Sequence, residues 1–153
     1  MNSRRLAGSI AGGVAAGLGI TALLLWQEKK TGKPSELVAL ERTALARLGE
    51  EVPPASHGPT PREQAAVQGG HLALSALAGA AYAATTDEES GVLGSGVVFG
   101  LGLYLVMHWI LGPFLKVKPP EWRADRATLG LHAANHVLFG LVTAGAAKAA
   151  GKA

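Results

Sequence analysis

Residues 13–26, GVAAGLGITALLLW, and residues 96–109, GVVFGLGLYLVMHW, align without a gap at an offset of 83 residues. They match at Gly13/Gly96, Val14/Val97, Gly17/Gly100, Leu18/Leu101, Gly19/Gly102 and Trp26/Trp109. A recurrence at fixed spacing says that one structural unit is used twice, and it outranks any local signal. With its flanks, each stretch reaches the roughly 20 residues that a helix needs to cross a hydrocarbon core. The chain therefore reads as two copies of one membrane-embedded unit.

Outward from these stretches, apolar residues collect in four blocks, 6–26, 66–84, 92–111 and 127–147. Charged residues make up 16% of the chain and lie almost wholly between the blocks. Soluble domains carry about 25%. Many of the glycines fall inside the blocks, where small residues let membrane helices approach closely. There is no cysteine, which excludes disulfides, thiolate metal sites and thiol catalysis. The net charge of +3 is not gathered into a basic run interleaved with aromatics, so no nucleic-acid partner is expected. The first block starts at Arg4 and Arg5 but is too long for a signal peptide, and it ends in LLLWQEKK instead of a small-residue cleavage site. All four blocks are predicted to span the bilayer.

Lys and Arg favour the cytoplasmic side. The connection after the first span carries Lys29, Lys30, Lys33, Arg42, Arg47 and Arg62, and the one after the third carries Lys116, Lys118, Arg123 and Arg126. The termini hold Arg4, Arg5, Lys148 and Lys152. Both long connections are therefore placed in the cytoplasm and both termini outside. Within the first connection, 35–49 is an amphipathic helix with Ser35 as N-cap and Gly49 as C-cap. Leu37, Leu40, Ala44, Leu45 and Leu48 share one face, and Glu36, Arg42 and Arg47 lie opposite. Such a helix either lies on the membrane surface or caps the bundle. His57 belongs to the Pro-rich linker that follows. Trp26, Trp109 and Trp122 fit an interfacial belt.

Two spans per copy is an even number, so both copies insert the same way up, about an axis along the membrane normal. The second helices also correspond, with HLALSALAGAAYAA from His71 matching HVLFGLVTAGAAKAA from His136. The chain reads as a single membrane domain over 1–153. Repeat one covers 6–84 with a surface-helix insertion at 35–49, and repeat two covers 92–147. Gly13/Gly17 and Gly96/Gly100 form GxxxG steps, and the simplest packing crosses the first and third spans at these glycines.

Four histidines lie within spans, His71, His108, His132 and His136, all displaced toward the same membrane face, with Asn135 beside them. Ionisable groups inside spans point to function by default. Three chemistries suit them: hydrogen-bonded glue between helices, titration near neutral pH, or a transition metal or haem, for which His71, His132 and His136 are the weak alternative set. No HExxH or carboxylate-rich metal signature is present, so no cofactor is assigned.

From GGHLALSALAGAAYAA through FGLGLYLVMHWILGPFLKVKPPEW to HAANHVLFGLV, the chain resembles the YagU-like inner-membrane proteins of bacteria. The resemblance rests on His71, the glycine-rich third span, Pro113, the PPEW segment, and His136 with Gly140. It implies a multi-span inner-membrane protein associated with acid tolerance, without catalytic residues. The expectation is thus an all-α, four-span, non-enzymatic bundle in a bacterial inner membrane, whose histidines respond to pH. The alternatives are a small-solute or proton carrier acting as a homo-oligomer, and a metal- or haem-binding subunit.

Overall fold

Helix boundaries follow from local chemistry. Asn2 caps α1 (Ser3–Thr31) by accepting from the Arg4 N–H, and Gly32 closes it in the left-handed conformation, at φ 67°. TPRE at 60–63 forms a capping box: the Thr60 hydroxyl accepts from the Glu63 N–H, and the Glu63 carboxylate accepts from the Thr60 N–H. Pro61 then opens α3 (Pro61–Thr85) where its missing N–H costs nothing. Asp125 caps α6 (Arg126–Lys152) through the N–H groups of Ala127 and Thr128. Between these lie α2 (Glu36–Arg47), α4 (Val92–Tyr104), a π-helical segment (Leu105–Leu111), α5 (Gly112–Phe114) and a 3₁₀ turn (Glu121–Arg123). This computed structural model describes residues 2–152, and no strand occurs among them.

The π segment has a cause in the sequence. Pro113 offers no N–H to the carbonyl of Trp109, and its ring crowds that oxygen in an α-helix. Widening the turn relieves both, and the Gly112 N–H bonds to the Met107 carbonyl instead. His108 lies in the middle of the widened turn.

α3 packs on α1, α1 on α6, and α6 on α4. The fourth side of the bundle is closed by long side chains: the Tyr82 ring of α3 stands edge-on to Phe99 at 5.2 Å, and its hydroxyl is 2.6 Å from that of Ser95. The expected crossing of the first and third spans at their glycines is not found. Gly13 and Gly17 face Ser75 and Gly79 of α3, and Gly96 and Gly100 face His136, Val137, Gly140 and Leu141 of α6. Each glycine step therefore serves its own hairpin, because the connections 32–60 and 115–125 bring each second helix back alongside its own first helix. A different pair, Gly8 and Gly12, lets α1 approach Ala146 and Ala150 of α6.

Burial is inverted relative to a soluble bundle. The interior is lined by Ser9, Thr21, Ser75, Thr143 and glycines. Leu18, Leu74, Leu77, Leu93, Val98, Ile110 and Leu138 point outward. In water that surface would be an enormous apolar patch; in lipid it is the ordinary arrangement, with small residues at helix contacts. Three helices, α1, Val92–Phe114 and α6, are long and apolar enough to cross a membrane. α3 has the length, but Arg62, Glu63, Gln64, Gln68 and His71 make its first half polar.

α2 departs from the expectation in the side that it uses. Val38 and Arg42 are buried, whereas Leu45 and Leu48 are exposed. The polar side is bound to the bundle end, while the leucine stripe is half-covered at Leu37 and Leu40 and open at Leu45 and Leu48. Ionic contacts with α3, the 115–121 connection and α6 outweigh the small apolar stripe.

Candidate functional site

The densest group of ionisable side chains lies where α2, the 115–121 connection and α6 meet the end of α4. His132 stands between two carboxylates, with Nδ1 2.6 Å from Glu121 Oε1 and Nε2 2.8 Å from Glu36 Oε2. Both ring nitrogens face acceptors, which a doubly protonated imidazole satisfies. The Lys118 ammonium lies 2.8 Å from Glu36 Oε1, 2.8 Å from Glu121 Oε2 and 2.7 Å from His108 Nδ1. An ammonium only donates, so His108 accepts at Nδ1 and is neutral. Two carboxylates thus meet two cations, and the group is charge-balanced.

Glu121 is almost wholly buried, at 1% side-chain exposure. Pro119 and Pro120 fix the backbone ahead of it, and the 3₁₀ turn aims its side chain inward. The Tyr104 hydroxyl donates to it at 3.2 Å. Burial alone would raise its pKa, but the hydrogen bonds from Lys118 and His132 outweigh that and hold it at about 2. Glu36 behaves alike: burial raises it, and the hydrogen bonds from His132 and Lys118 bring it to about 2. For Lys118, burial disfavours the charge, yet Glu121 and Glu36 leave its pKa raised.

Behind this group the imidazoles meet at tilted and edge-on angles. The His108 ring centroid is 4.5 Å from that of His132 and 4.9 Å from that of His136, and Tyr104 lies 5.3 Å from His108. His136 Nδ1–H donates to the His132 carbonyl at 2.9 Å, one helical turn back. Gly100 makes this possible by admitting the backbone of His136 and Val137.

Of the residues singled out from sequence, the structure brings together His108, His132 and His136. His71 sits apart, its Nδ1 3.1 Å from the Thr21 hydroxyl, which donates to Gln68 at 2.8 Å. Asn135 is half-buried on α6 and takes no part in the hydrogen bonds of the cluster. Among the described residues, His71, His132 and His136 do not bring their donor atoms together as a metal-holding group. Glu36, His108 and His132 do place one donor atom each within 4.8 Å of one another. The Lys118 ammonium bonds two of these three side chains, so the protein's own cation fills that position.

Sequence reasoning missed Glu36, Lys118 and Glu121 because it sought polar groups within the spans, and these lie in the connections. The one available signal was PPEW, a carboxylate between a rigid Pro–Pro and a tryptophan. Around the cluster, α2 is anchored at two further points. Arg42 pairs with Glu63 through two hydrogen bonds of 2.6 and 3.0 Å, and Arg47 donates to the Lys116 carbonyl at 2.9 Å.

No family model, curated protein or solved structure matches the chain.

Proposed function

We propose that the chain is a non-enzymatic, four-span inner-membrane protein, built from two repeated hairpins, that responds to protons at the His108–Lys118–Glu121 contact. The observation that carries this reading is the 2.7 Å approach of the Lys118 ammonium to His108 Nδ1. A proton added at that nitrogen removes the acceptor and sets two cations against each other. Glu121 Oε2, 3.5 Å from His108 Nδ1, is the nearest place for the new N–H to turn. Protonated His108 then takes that oxygen from Lys118. The groups facing the ring from other elements are Glu36 on α2, Lys118 and Glu121 in the connection, and His132 and His136 on α6, with Tyr104 on its own helix. Of these, Glu36 and Glu121 stay ionised until far below neutral pH. Release of Lys118 also leaves Glu36 with His132 as its one remaining cation, and so loosens α2 from the bundle end.

Membership of the YagU-like group, through His71, Pro113, PPEW, His136 and Gly140, belongs to the same proposal. Duplication is supported by packing in one register. Gly13 meets Ser75 as Gly96 meets Gly140, and Thr21 touches His71 as Tyr104 touches His136, each pair one repeat apart. A fourth span at α3 is supported by its antiparallel run along α1, from Arg5 at Ala83 to Thr21 at Gln68.

The test is hydrogen–deuterium exchange of the lipid-reconstituted protein across pH 7.5 to 3.5, corrected for intrinsic rates. Amides of α2 and of 115–123 are expected to lose protection on acidification. In His108→Asn, whose side-chain oxygen accepts from Lys118 but does not titrate, protection persists. Protection in the native chain that is independent of pH overturns the proposal.

A further inference from the structure

At the other end of the bundle, where α1 begins and α3 and α6 end, lies a cavity of about 140 Å³. Its deepest charged group is Arg5, only 5% exposed. Every hydrogen bond of the guanidinium goes to a neutral acceptor: the Ala83 carbonyl at 2.9 Å, the Thr86 hydroxyl at 2.5 Å and the Asp87 carbonyl at 3.2 Å. It lies 5.7 Å from the centroid of the Tyr82 ring, a further cavity wall. Among the described residues no carboxylate pairs with it. A buried guanidinium without a counter-charge is costly and calls for an anion. Lys148, also on the wall, donates to the Glu88 carbonyl at 2.7 Å and pairs with no described carboxylate either.

Asp87 and Glu88, both exposed, also line the cavity. The turn gives its backbone oxygens to the two cations, and neither carboxylate forms an ion pair with them. Arg5 and Lys148, with Lys152, therefore share the cavity with two carboxylate-bearing residues, Asp87 and Glu88, that pair with neither Arg5 nor Lys148. Such a cavity rejects a simple anion, which would meet Asp87 and Glu88, and a simple cation, which would meet Arg5. It suits a small zwitterion. Ala144 and Ala147 supply an apolar floor.

We propose that this cavity binds the phosphoethanolamine headgroup of a membrane lipid, with the phosphate on Arg5 and Lys148 and the ammonium on Asp87 and Glu88. The proposal rests on the membrane-spanning reading, which sets the ends of α1, α3 and α6 at headgroup depth, and is independent of the proton response at the opposite end. A free phosphoethanolamine ester offers the same charges; the lipid is favoured because its chains continue along the exposed apolar faces of the helices.

The experiment is native mass spectrometry of the full chain, released from detergent with equimolar phosphatidylethanolamine, phosphatidylglycerol and phosphatidylcholine. One retained phosphatidylethanolamine is expected, in at least five-fold excess over either competitor. K148Q should lower its retention about ten-fold, and D87N/E88Q should abolish the preference over phosphatidylglycerol. Lys148, Asp87 and Glu88 lie at the surface, so these variants keep the test sound should R5Q fail to fold. Equal retention of all three lipids, preference for phosphatidylglycerol, or indifference to K148Q and D87N/E88Q overturns the site. Calorimetric titration with free phosphoethanolamine settles the source: affinity equal to that for the lipid overturns the lipid assignment. Chain found outside the membrane would instead overturn the spanning reading itself.

Discussion

Glu121 receives Lys118, His132 and Tyr104 in an enclosed place. Removing one partner of such a buried network leaves the others unpaired, at a cost of about 3–5 kcal/mol. Glu121→Gln is therefore expected to destabilise the folded state by that amount in denaturant titration of the detergent-solubilised protein. Native stability in this variant would rule the network out as a structural element. The sign of the acid response follows from the depressed pKa values. Glu36 and Glu121 both move from 4.5 to about 2, so their stabilisation is full above about pH 4.5 and drains away as pH falls toward 2. Unfolding followed from pH 5 to pH 2 should show this slope in the native chain and a shallower one in Glu121→Gln. Lys116 offers an opposite case. It takes φ 55° at the end of the 112–117 turn, where the Val117 N–H returns to the Gly112 carbonyl. That conformation favours glycine by roughly 1 kcal/mol. Lys116→Gly should raise stability by about that much in the same titration, since Arg47 bonds only the backbone there.

Glycine seams decide how the helices pair. A Cβ at Gly96 would press on the α6 backbone at Leu141 and Gly140, and one at Gly100 on that at His136 and Val137. At Gly19 and Gly102 nothing lies nearby. Gly100→Leu should cost 1–3 kcal/mol or more by forcing α4 from α6, whereas Gly102→Ala should leave thermal stability in detergent within about 0.5 kcal/mol of native. Equal melting of both variants would show that the seam does not hold the hairpin. The presence of close-packed glycine steps was legible in GVAAGLG and GVVFGLG, but their partner was not. A helix face can be read from spacing; which of three other helices it meets depends on the connections. α2 makes the same point from the opposite side. Its leucine stripe was plain, yet four polar contacts from Glu36, Arg42 and Arg47 decide which side docks. Polar partners from distant parts of the chain are invisible in a local pattern.

For the whole molecule, the proposed four crossings would set both connections of 32–60 and 115–125 on one side, and the 86–91 turn and the termini on the other. Ser56→Cys and Ser90→Cys, in a chain that has no native cysteine, should be labelled by an impermeant maleimide from opposite faces of sealed vesicles. Labelling from a common face would reduce α3 to a helix that does not cross. The same experiment orients the His108 cluster and the Arg5 cavity, which lie at opposite ends of the bundle. What the amino-acid sequence determined by itself is the helical class, the presence of helices long and apolar enough to cross a membrane, the glycine steps, and the gathering of three of the four histidines near one level. These follow from composition and spacing along single helices, where hydropathy and a 3.6-residue period act locally. Tertiary structure alone decided that His71 stands apart and that Glu36, Lys118 and Glu121 complete the cluster. It alone left Arg5 buried without a described carboxylate partner. Charge pairing acts through space over a few ångströms, between residues separated along the chain by as many as 96 positions, Glu36 and His132. Only the folded connections bring such residues within reach.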